Sequence, residues 1–259
     1  MSELHISLIQ ANLVWENPDE NLKMFSEKLN AIPAHTDVVI LPEMFTTGFS
    51  MQPEKFAETE LGRSVAWMKE MAAKNDCVIT GSLIIKEANS YFNRLFWMQP
   101  DGNYKTYDKR HLFSLAGEEK HYSPGKERII VTWKGFKIMP LVCYDLRFPV
   151  WSRNDLDYDL LFYVANWPER RAFYWTQLLI ARAIENQAYV IGVNRVGNDG
   201  NNIYHSGDSV CLDPLGAKVG TTASGKEDTI NVTLSQGSIS RVRETFHFLN
   251  DKDVFAIDA

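Results

Sequence analysis

Near its middle the chain reads Phe136-Lys137-Ile138-Met139-Pro140-Leu141-Val142-Cys143-Tyr144-Asp145-Leu146-Arg147-Phe148-Pro149. The first half is a largely apolar run of the length expected for a buried strand, and Cys143 stands where the strand gives way to a turn. We expect a helix to begin near Phe148. A side chain at such a strand end faces the crevice above an α/β sheet, beside backbone N–H groups that can hold an anion. Cys143 is therefore a candidate nucleophile, although strand-end cysteines are more often buried packing.

Two other predicted strands lead to charged side chains. Glu43 follows the apolar run 37–41, and Lys109 closes the short alternating strand 104–108. The polar loop 114–125 carries Glu118 and Glu119. Each of these groups taken alone is more often a solvated surface charge than a catalytic one. Glu43 and Lys109 nevertheless stand at the same kind of position as Cys143.

Three short motifs carry these residues in a specific order. They are Leu-Pro-Glu at 41–43, Tyr-x-Lys-x-x-Leu-Phe at 107–113 and Cys-Tyr-Asp-x-Arg-Phe-Pro at 143–149. In this order they resemble the glutamate, lysine and cysteine signatures of the nitrilase superfamily of carbon–nitrogen hydrolases. The resemblance covers about residues 4–234.

Amide hydrolysis explains why these residue types belong together. It needs a strong nucleophile, a base that can later act as an acid, and positive charge where the oxyanion develops. The resemblance implies that Cys143 attacks the amide carbon after Glu43 takes its proton. Lys109 and the backbone N–H of Tyr144 would hold the oxyanion, and Glu43 would later activate the water that cleaves the thioester.

The family has a second glutamate in the loop before a Ser-Pro-Gly sequence, which is found here at 123–125. Counting back from that sequence favours Glu118 over Glu119. Its implied role is to orient Lys109 and the incoming amide. The implied chemistry requires no metal and no cofactor.

The resemblance also suggests a class of substrate. The segments 41–49, 141–149 and 165–168 are most similar to those of bacterial omega-amidases. These enzymes remove the terminal amide of short 2-oxo acids, with 2-oxoglutaramate as the type substrate. We therefore expect a small-molecule amide substrate that carries a carboxylate.

A carboxylate needs a cationic anchor, and arginine gives the best bidentate fit. Arg147, four residues after Cys143, is the expected anchor, with a structural salt bridge as an equal alternative. Arg170 and Arg171 are the reserve candidates. The other predicted substrate-binding residues are Phe45, Phe49, Asn166 and Trp167.

Other catalytic and binding functions fit the sequence less well. A Cys-His hydrolase would need a histidine beside Cys143, and His111 is instead predicted to anchor a loop. Zinc-binding and phosphate-binding motifs are absent from the sequence. An N-carbamoyl amine amidohydrolase or another aliphatic amidase stays open within the superfamily. A non-catalytic binding protein on the same fold is the alternative outside the enzymes.

Composition agrees with a globular enzyme. The 259 residues are 45% hydrophobic and carry a net charge of −6, which provides no basic footprint for nucleic acid or an anionic membrane. No apolar run approaches the roughly 20 residues that span a bilayer, and no signal sequence precedes the strand-like segment 4–10. We expect a cytoplasmic protein whose three cysteines are reduced.

Along the chain, strand patterns alternate with helical ones, and no internal repeat is evident in the sequence. Such an order is typical of an α/β protein, and the resemblance sharpens the expectation to a four-layer α-β-β-α sandwich. We expect one domain over residues 1–259. The apolar tail at 235–259, together with the helix after Cys143, is expected to form the interface of a homodimer.

Overall fold

Two six-stranded sheets pack face to face in the computed structural model, which describes residues 2–257. The first sheet contains β1 (Glu3–Gln10), β2 (Val38–Ile40), β3 (Val78–Glu87), β4 (Ser90–Met98), β5 (Tyr104–Asp108) and β14 (Asp228–Ser235). The second contains β6 (Val131–Trp133), β7 (Phe136–Val142), β8 (Leu160–Ala165), β9 (Tyr189–Asn194), β12 (Val210–Leu212) and β13 (Lys218–Thr221). A separate two-stranded ribbon pairs β10 (Val196–Asn198) with β11 (Tyr204–Ser206).

The two sheets have the same topology. Their spatial orders are β14-β1-β2-β3-β4-β5 and β6-β7-β8-β9-β12-β13. In each, the first pair of strands is antiparallel, the next two pairs are parallel and the last two pairs are antiparallel. The chain therefore repeats an architecture although no repeat is evident in its sequence.

Helices cover the outer faces of both sheets. The five helices are α1 (Pro18–Leu29), α2 (Pro53–Phe56), α3 (Arg63–Asn75), α4 (Ala172–Asn186) and α5 (Gln236–Phe246). Helices α1 and α3 contact each other and lie on the first sheet, while α4 lies on β9 and β12 of the second. The predicted α-β-β-α sandwich is confirmed. Within the described residues, no helix has the length and apolar character needed to cross a membrane.

Strand β2 shows why a sheet buried on both faces reads as a continuous apolar run. Val38 and Ile40 belong to the core between the sheets, whereas Val39 and Leu41 pack under α1 and α3. Successive side chains of a strand point to opposite faces, so each apolar residue has a buried destination. The strand ends at Ile40, and only Leu41 and Pro42 separate it from Glu43.

Phe45 lies in the outer core and not in a pocket. Its ring packs edge-on against Phe25 with 5.5 Å between centroids, and it also contacts the ring of Trp67. The side chain is fully buried under α1 and α3. The prediction that Phe45 binds substrate is therefore wrong, because the chain turns after Glu43 and directs Phe45 to the helix layer.

The helix predicted to begin near Phe148 is also absent from the structure. Cys143–Arg147 forms a short 3-10 turn, and the next helix after it is α4. The physical reason is Pro149, which disfavours helical dihedrals in the residue before it. Phe148 accordingly leaves the helical region, with φ −114° and ψ 88°.

The carboxyl-terminal segment forms α5 and then a 3-10 turn at Phe248–Asp251. Ile257 packs against the central core. Phe246 and Phe248 stack on each other yet remain 42% and 58% exposed. The predicted tail thus leaves apolar surface uncovered within the chain; its last two residues, 258 and 259, lie outside the described part.

Candidate active site

Four strand ends from both sheets meet at one cavity of about 400 Å³. Glu43 follows β2 and Lys109 follows β5 in the first sheet, while Cys143 follows β7 and Asn166 follows β8 in the second. All four residues line the cavity. The structure therefore brings together the three residues on which the sequence resemblance depends.

A buried ion cluster forms the floor of this cavity. The Nζ atom of Lys109 lies 3.0 Å from Oε1 of Glu43 and 2.9 Å from Oε2 of Glu118. The exposure of each of these side chains is 1% or less. Burial by itself lowers the pKa of Lys109, but the charges of Glu118 and Glu43 outweigh burial and raise it, so the ammonium keeps its proton.

Glu118 is the carboxylate that contacts Lys109, and Glu119 is exposed. The main-chain N–H of Phe113 donates to Oε2 of Glu118 over 2.5 Å. Burial raises the pKa of Glu118; Lys109 opposes that shift and Glu43 reinforces it. The loop that follows β5 thus folds back to place a second carboxylate on the lysine that ends the strand.

Donors from both sheets fix Glu43. Its Oε1 accepts from Nδ2 of Asn93 over 2.8 Å, and its Oε2 accepts from the main-chain N–H of Asn166 over 2.8 Å. The side chain of Asn166 also donates to the main-chain oxygen of Glu43 over 2.7 Å. Asn166, predicted to bind substrate, therefore holds the glutamate. Asn93 was not predicted, because nothing in the local sequence of β4 distinguishes it.

Cys143 occupies a left-handed backbone conformation at the end of β7, with φ +43°. Its thiol lines the same cavity as Glu43 and Asn166. Burial first, and then the charge of Glu43, raise the pKa of Cys143 well above its ordinary value, with Lys109 acting in the opposite direction. The resting nucleophile is therefore a neutral thiol at neutral pH.

A third buried carboxylate, Asp145, holds the turn that carries Cys143. Asp145 accepts hydrogen bonds from the Tyr107 hydroxyl (2.7 Å), the Val142 N–H (3.1 Å) and, over 2.9 and 2.8 Å, from the N–H and Nδ1 of His111. The contact with Val142 closes the turn, and the three contacts with Tyr107 and His111 tie it to the segment around Lys109. His111 has the anchoring role predicted for it. The role of Asp145 was not predicted, although its place inside the cysteine motif at 143–149 could have indicated it.

Three arginines also line the cavity. The guanidinium of Arg147 lies over the rings of Trp167 and Tyr174, at 5.0 and 5.3 Å from their centroids. Among the described residues no carboxylate forms an ion pair with Arg147, which removes the structural salt bridge as its role. Arg170 and Arg171 line the same cavity. Burial and the charges of its arginine neighbours lower the pKa of Arg171.

Aromatic and ribbon residues complete the walls. Phe49, Tyr144 and Trp167 line the cavity, in agreement with the predicted placement of Phe49 and Trp167. The unpredicted ribbon of β10 and β11 contributes His205, whose pKa is lowered to about 4 by burial and by the charge of Arg195. His205 is therefore neutral at neutral pH and adds no further positive charge to this wall.

Comparisons with known proteins agree with this geometry. The profile of the carbon-nitrogen hydrolase family matches residues 5–244. Over 99% of its length the chain is 47% identical to the whole of an omega-amidase YafV from Yersinia enterocolitica. It is also 33% identical to a 2-oxoglutaramate amidase from Bacillus subtilis, covering 96% of this chain and 98% of the relative. A CN-hydrolase superfamily protein from Xanthomonas campestris, with an arsenic adduct in its active site, superposes with a TM-score of 0.97 at 43% identity over the full length of both chains.

The state of the thiol predicts how Cys143 reacts with iodoacetamide. Its alkylation rate should keep rising from about pH 6 to about pH 9, because the thiolate fraction of a thiol with a raised pKa grows through that whole range. Peptide mass spectrometry measures the rate. Cys77 and Cys211 serve as internal controls and should stay unmodified, since both are buried. A plateau that begins below about pH 8 would contradict a protonated resting thiol.

Proposed function

Because the chain belongs to the carbon-nitrogen hydrolase family, we propose that it is a cysteine-dependent omega-amidase that hydrolyses 2-oxoglutaramate to 2-oxoglutarate and ammonia. One observation carries the choice of substrate. A single cavity is lined by a thiol with its acid–base partner and by arginines that form no ion pair among the described residues. A short molecule with a terminal amide and a carboxylate can engage both groups.

Acylation begins with a proton transfer from Cys143 to Glu43. The S–H bond breaks, an O–H bond forms, and the electron pair left on sulfur attacks the amide carbon. The thiol needs this partner because its raised pKa keeps it protonated. If the proton passes to Glu43 while sulfur attacks the carbon, no free thiolate forms beside the two carboxylates of the cluster, which would repel it.

Positive charge and a main-chain N–H hold the tetrahedral intermediate. Lys109 keeps its proton between Glu43 and Glu118, so its ammonium can stabilise the oxyanion at the time of attack. The N–H of Tyr144, the residue after the nucleophile, is the second donor in this proposal. Glu118 keeps Lys109 in position, and preorganised donors of this kind are worth most in a site that excludes water.

Release of ammonia and hydrolysis of the thioester reuse the same base. Glu43 returns its proton to the departing nitrogen, which leaves as ammonia and leaves the acyl group on Cys143. Glu43 then takes a proton from the incoming water, whose oxygen attacks the thioester carbon. The C–S bond breaks, and Glu43 gives this proton to the departing sulfur of Cys143. The products are the free acid and the original thiol, so protons balance over the cycle.

Turnover of 2-oxoglutaramate tests this function. The protein should release ammonia from this compound faster than from N-carbamoyl amines of similar size, because only the former presents a carboxylate to the arginines. Cys143→Ala should abolish ammonia release, and Cys211→Ala should retain it because Cys211 is buried away from the cavity. Faster release of ammonia from an N-carbamoyl compound would contradict the proposed substrate. An active Cys143→Ala protein would contradict the proposed mechanism.

Arg147 is the proposed anchor of the substrate carboxylate. Arg147→Ala should raise KM for 2-oxoglutaramate by at least about tenfold, which is the effect of losing one charge-assisted hydrogen bond. The KM of an uncharged amide of similar length should change far less. Steady-state kinetics on both substrates measures the difference. Equal losses would transfer the anchoring role to Arg170 or Arg171.

We also propose that the protein works in the cytoplasm as a homodimer. The exposed rings of Phe246 and Phe248 lie on the carboxyl-terminal segment. A groove of about 350 Å³ joins this segment to the turn after the nucleophile, and it is lined in part by Val150 and Phe255. The groove also carries charged residues, among them Arg153 and Glu185, so the support for an interface comes from the exposed apolar side chains of the two segments. Three free cysteines are consistent with a reducing compartment.

Light scattering at micromolar concentration tests the assembly. The native protein should have twice the chain mass of 29.6 kDa. Phe248→Asp should shift the mass toward that of one chain, because a buried charge opposes the interface. Leu61→Asp is the matched control, since Leu61 is an exposed apolar residue on another part of the surface, and it should leave the mass unchanged. A fully active native monomer would contradict the proposal.

A further inference from the structure

Glu43 has four in-plane lone pairs on its two oxygens, and the structure accounts for most of them. Oε1 accepts from Asn93 over 2.8 Å and from Lys109 over 3.0 Å. Both of its lone pairs are therefore occupied by donors. A proton placed on Oε1 would face two N–H groups that cannot accept it.

The other oxygen is differently placed. Oε2 accepts one short hydrogen bond, 2.8 Å long, from the main-chain N–H of Asn166. The side chain of Asn166 donates to Oε2 only over 3.4 Å and makes its shorter hydrogen bond, 2.7 Å long, to the main-chain oxygen of Glu43. Oε2 therefore has one strong donor where Oε1 has two, which makes Oε2 the better acceptor for a further proton. Cys143 lines the same cavity as Glu43, and the charge of Glu43 is among the causes that raise the pKa of the thiol, so the nucleophile lies near this carboxylate.

Asn93 is one of the two donors on Oε1 of Glu43, and its own side-chain oxygen stays without a hydrogen bond within the described part of the chain as a result. It is 1% exposed in β4, and its Oδ1 has no hydrogen-bond partner among the described residues. Rotating the side-chain amide would turn that oxygen toward a carboxylate oxygen, so the donor orientation is set by Glu43. Its main-chain oxygen also accepts the N–H of Lys109 over 3.0 Å. One residue therefore fixes the glutamate through its side chain and the lysine through its backbone.

We propose that Asn93 is a positioning residue of the reaction. Together with Lys109 it occupies Oε1 of Glu43, so that Oε2 is the atom that takes the proton of Cys143 and later the proton of water. The inference rests on Glu43 being the base of the proposed amidase. The new element is that Oε2 is the oxygen of Glu43 that accepts the proton, and that Asn93 determines this choice.

The test compares the full-length protein with Asn93→Leu, which removes the donor and keeps the number and branching of the side-chain heavy atoms. The value of kcat for 2-oxoglutaramate should fall by about 10-fold to 100-fold, the effect of losing a hydrogen bond to a charged group. KM should change by less than about threefold, because Asn93 does not contact substrate. Alkylation of Cys143 by iodoacetamide should slow by a factor similar to that for kcat.

The alkylation rate separates positioning from a merely structural role. Loosening of the site would expose the thiol and speed alkylation, whereas a mispositioned base slows it. Asn186→Leu is the matched control, because Asn186 is a fully buried asparagine in α4 that does not line the cavity. It should lower the unfolding temperature without slowing alkylation. An Asn93→Leu protein that alkylates at the native rate or faster, or that keeps the native kcat, overturns the proposal.

Two further outcomes are distinguishable. If Asn93→Leu does not fold, Asn93→Asp conserves size and polarity and places an acceptor against Oε1; it should slow alkylation more strongly, and a native rate overturns the proposal. If the native protein releases no ammonia from 2-oxoglutaramate while Asn93→Leu still slows alkylation, the substrate is wrong and the positioning role stands.

Discussion

One buried lysine shared by two buried glutamates is the interaction on which the rest of this structure depends. Lys109 neutralises only one of the two charges, so the cluster with Glu43 and Glu118 keeps an excess negative charge. Buried charges are tolerated when most of their lone pairs are filled by fixed donors, and here amide groups of Asn93 and Asn166 and the N–H of Phe113 fill most of them. Burial and the charge of Glu43 together keep Cys143 protonated, which makes proton transfer part of the attack.

The donors come from different layers, so the chemistry depends on how the two sheets meet. Glu43 and Lys109 belong to the first sheet, whereas Cys143 and Asn166 belong to the second. The hydrogen bond from Asn166 to Glu43 crosses between them. A shift of one sheet against the other would separate base and nucleophile before it exposed the core. The large apolar layer between the sheets is therefore a determinant of catalytic distance as well as of stability.

The sequence predicted the parts of the fold that local patterns control. Strand β5 was placed at its observed bounds, because alternation and the turn at 100–103 define it. The helix expected near Phe148 failed because Pro149 acts on the residue before it, and Phe45 was misplaced because the direction of the chain after Glu43 is set by tertiary packing. Glu43, Lys109 and Cys143 carry motif signals. Asn93 acts across neighbouring strands through a contact that no local pattern encodes.

The left-handed conformation of Cys143 has a consequence for the evolution of this chain. Met44, the residue after the base, has the same φ of +43°. Each such conformation costs a side-chain-bearing residue about 1 kcal/mol or more, and glycine would adopt it freely. Replacement of the cysteine by glycine would relieve this strain, but it would also give up the packing of the side chain against the core and make the unfolded chain more flexible. The strain is therefore a folding cost carried at the nucleophile, and a loss of selection for activity would remove one of the reasons for keeping a cysteine there.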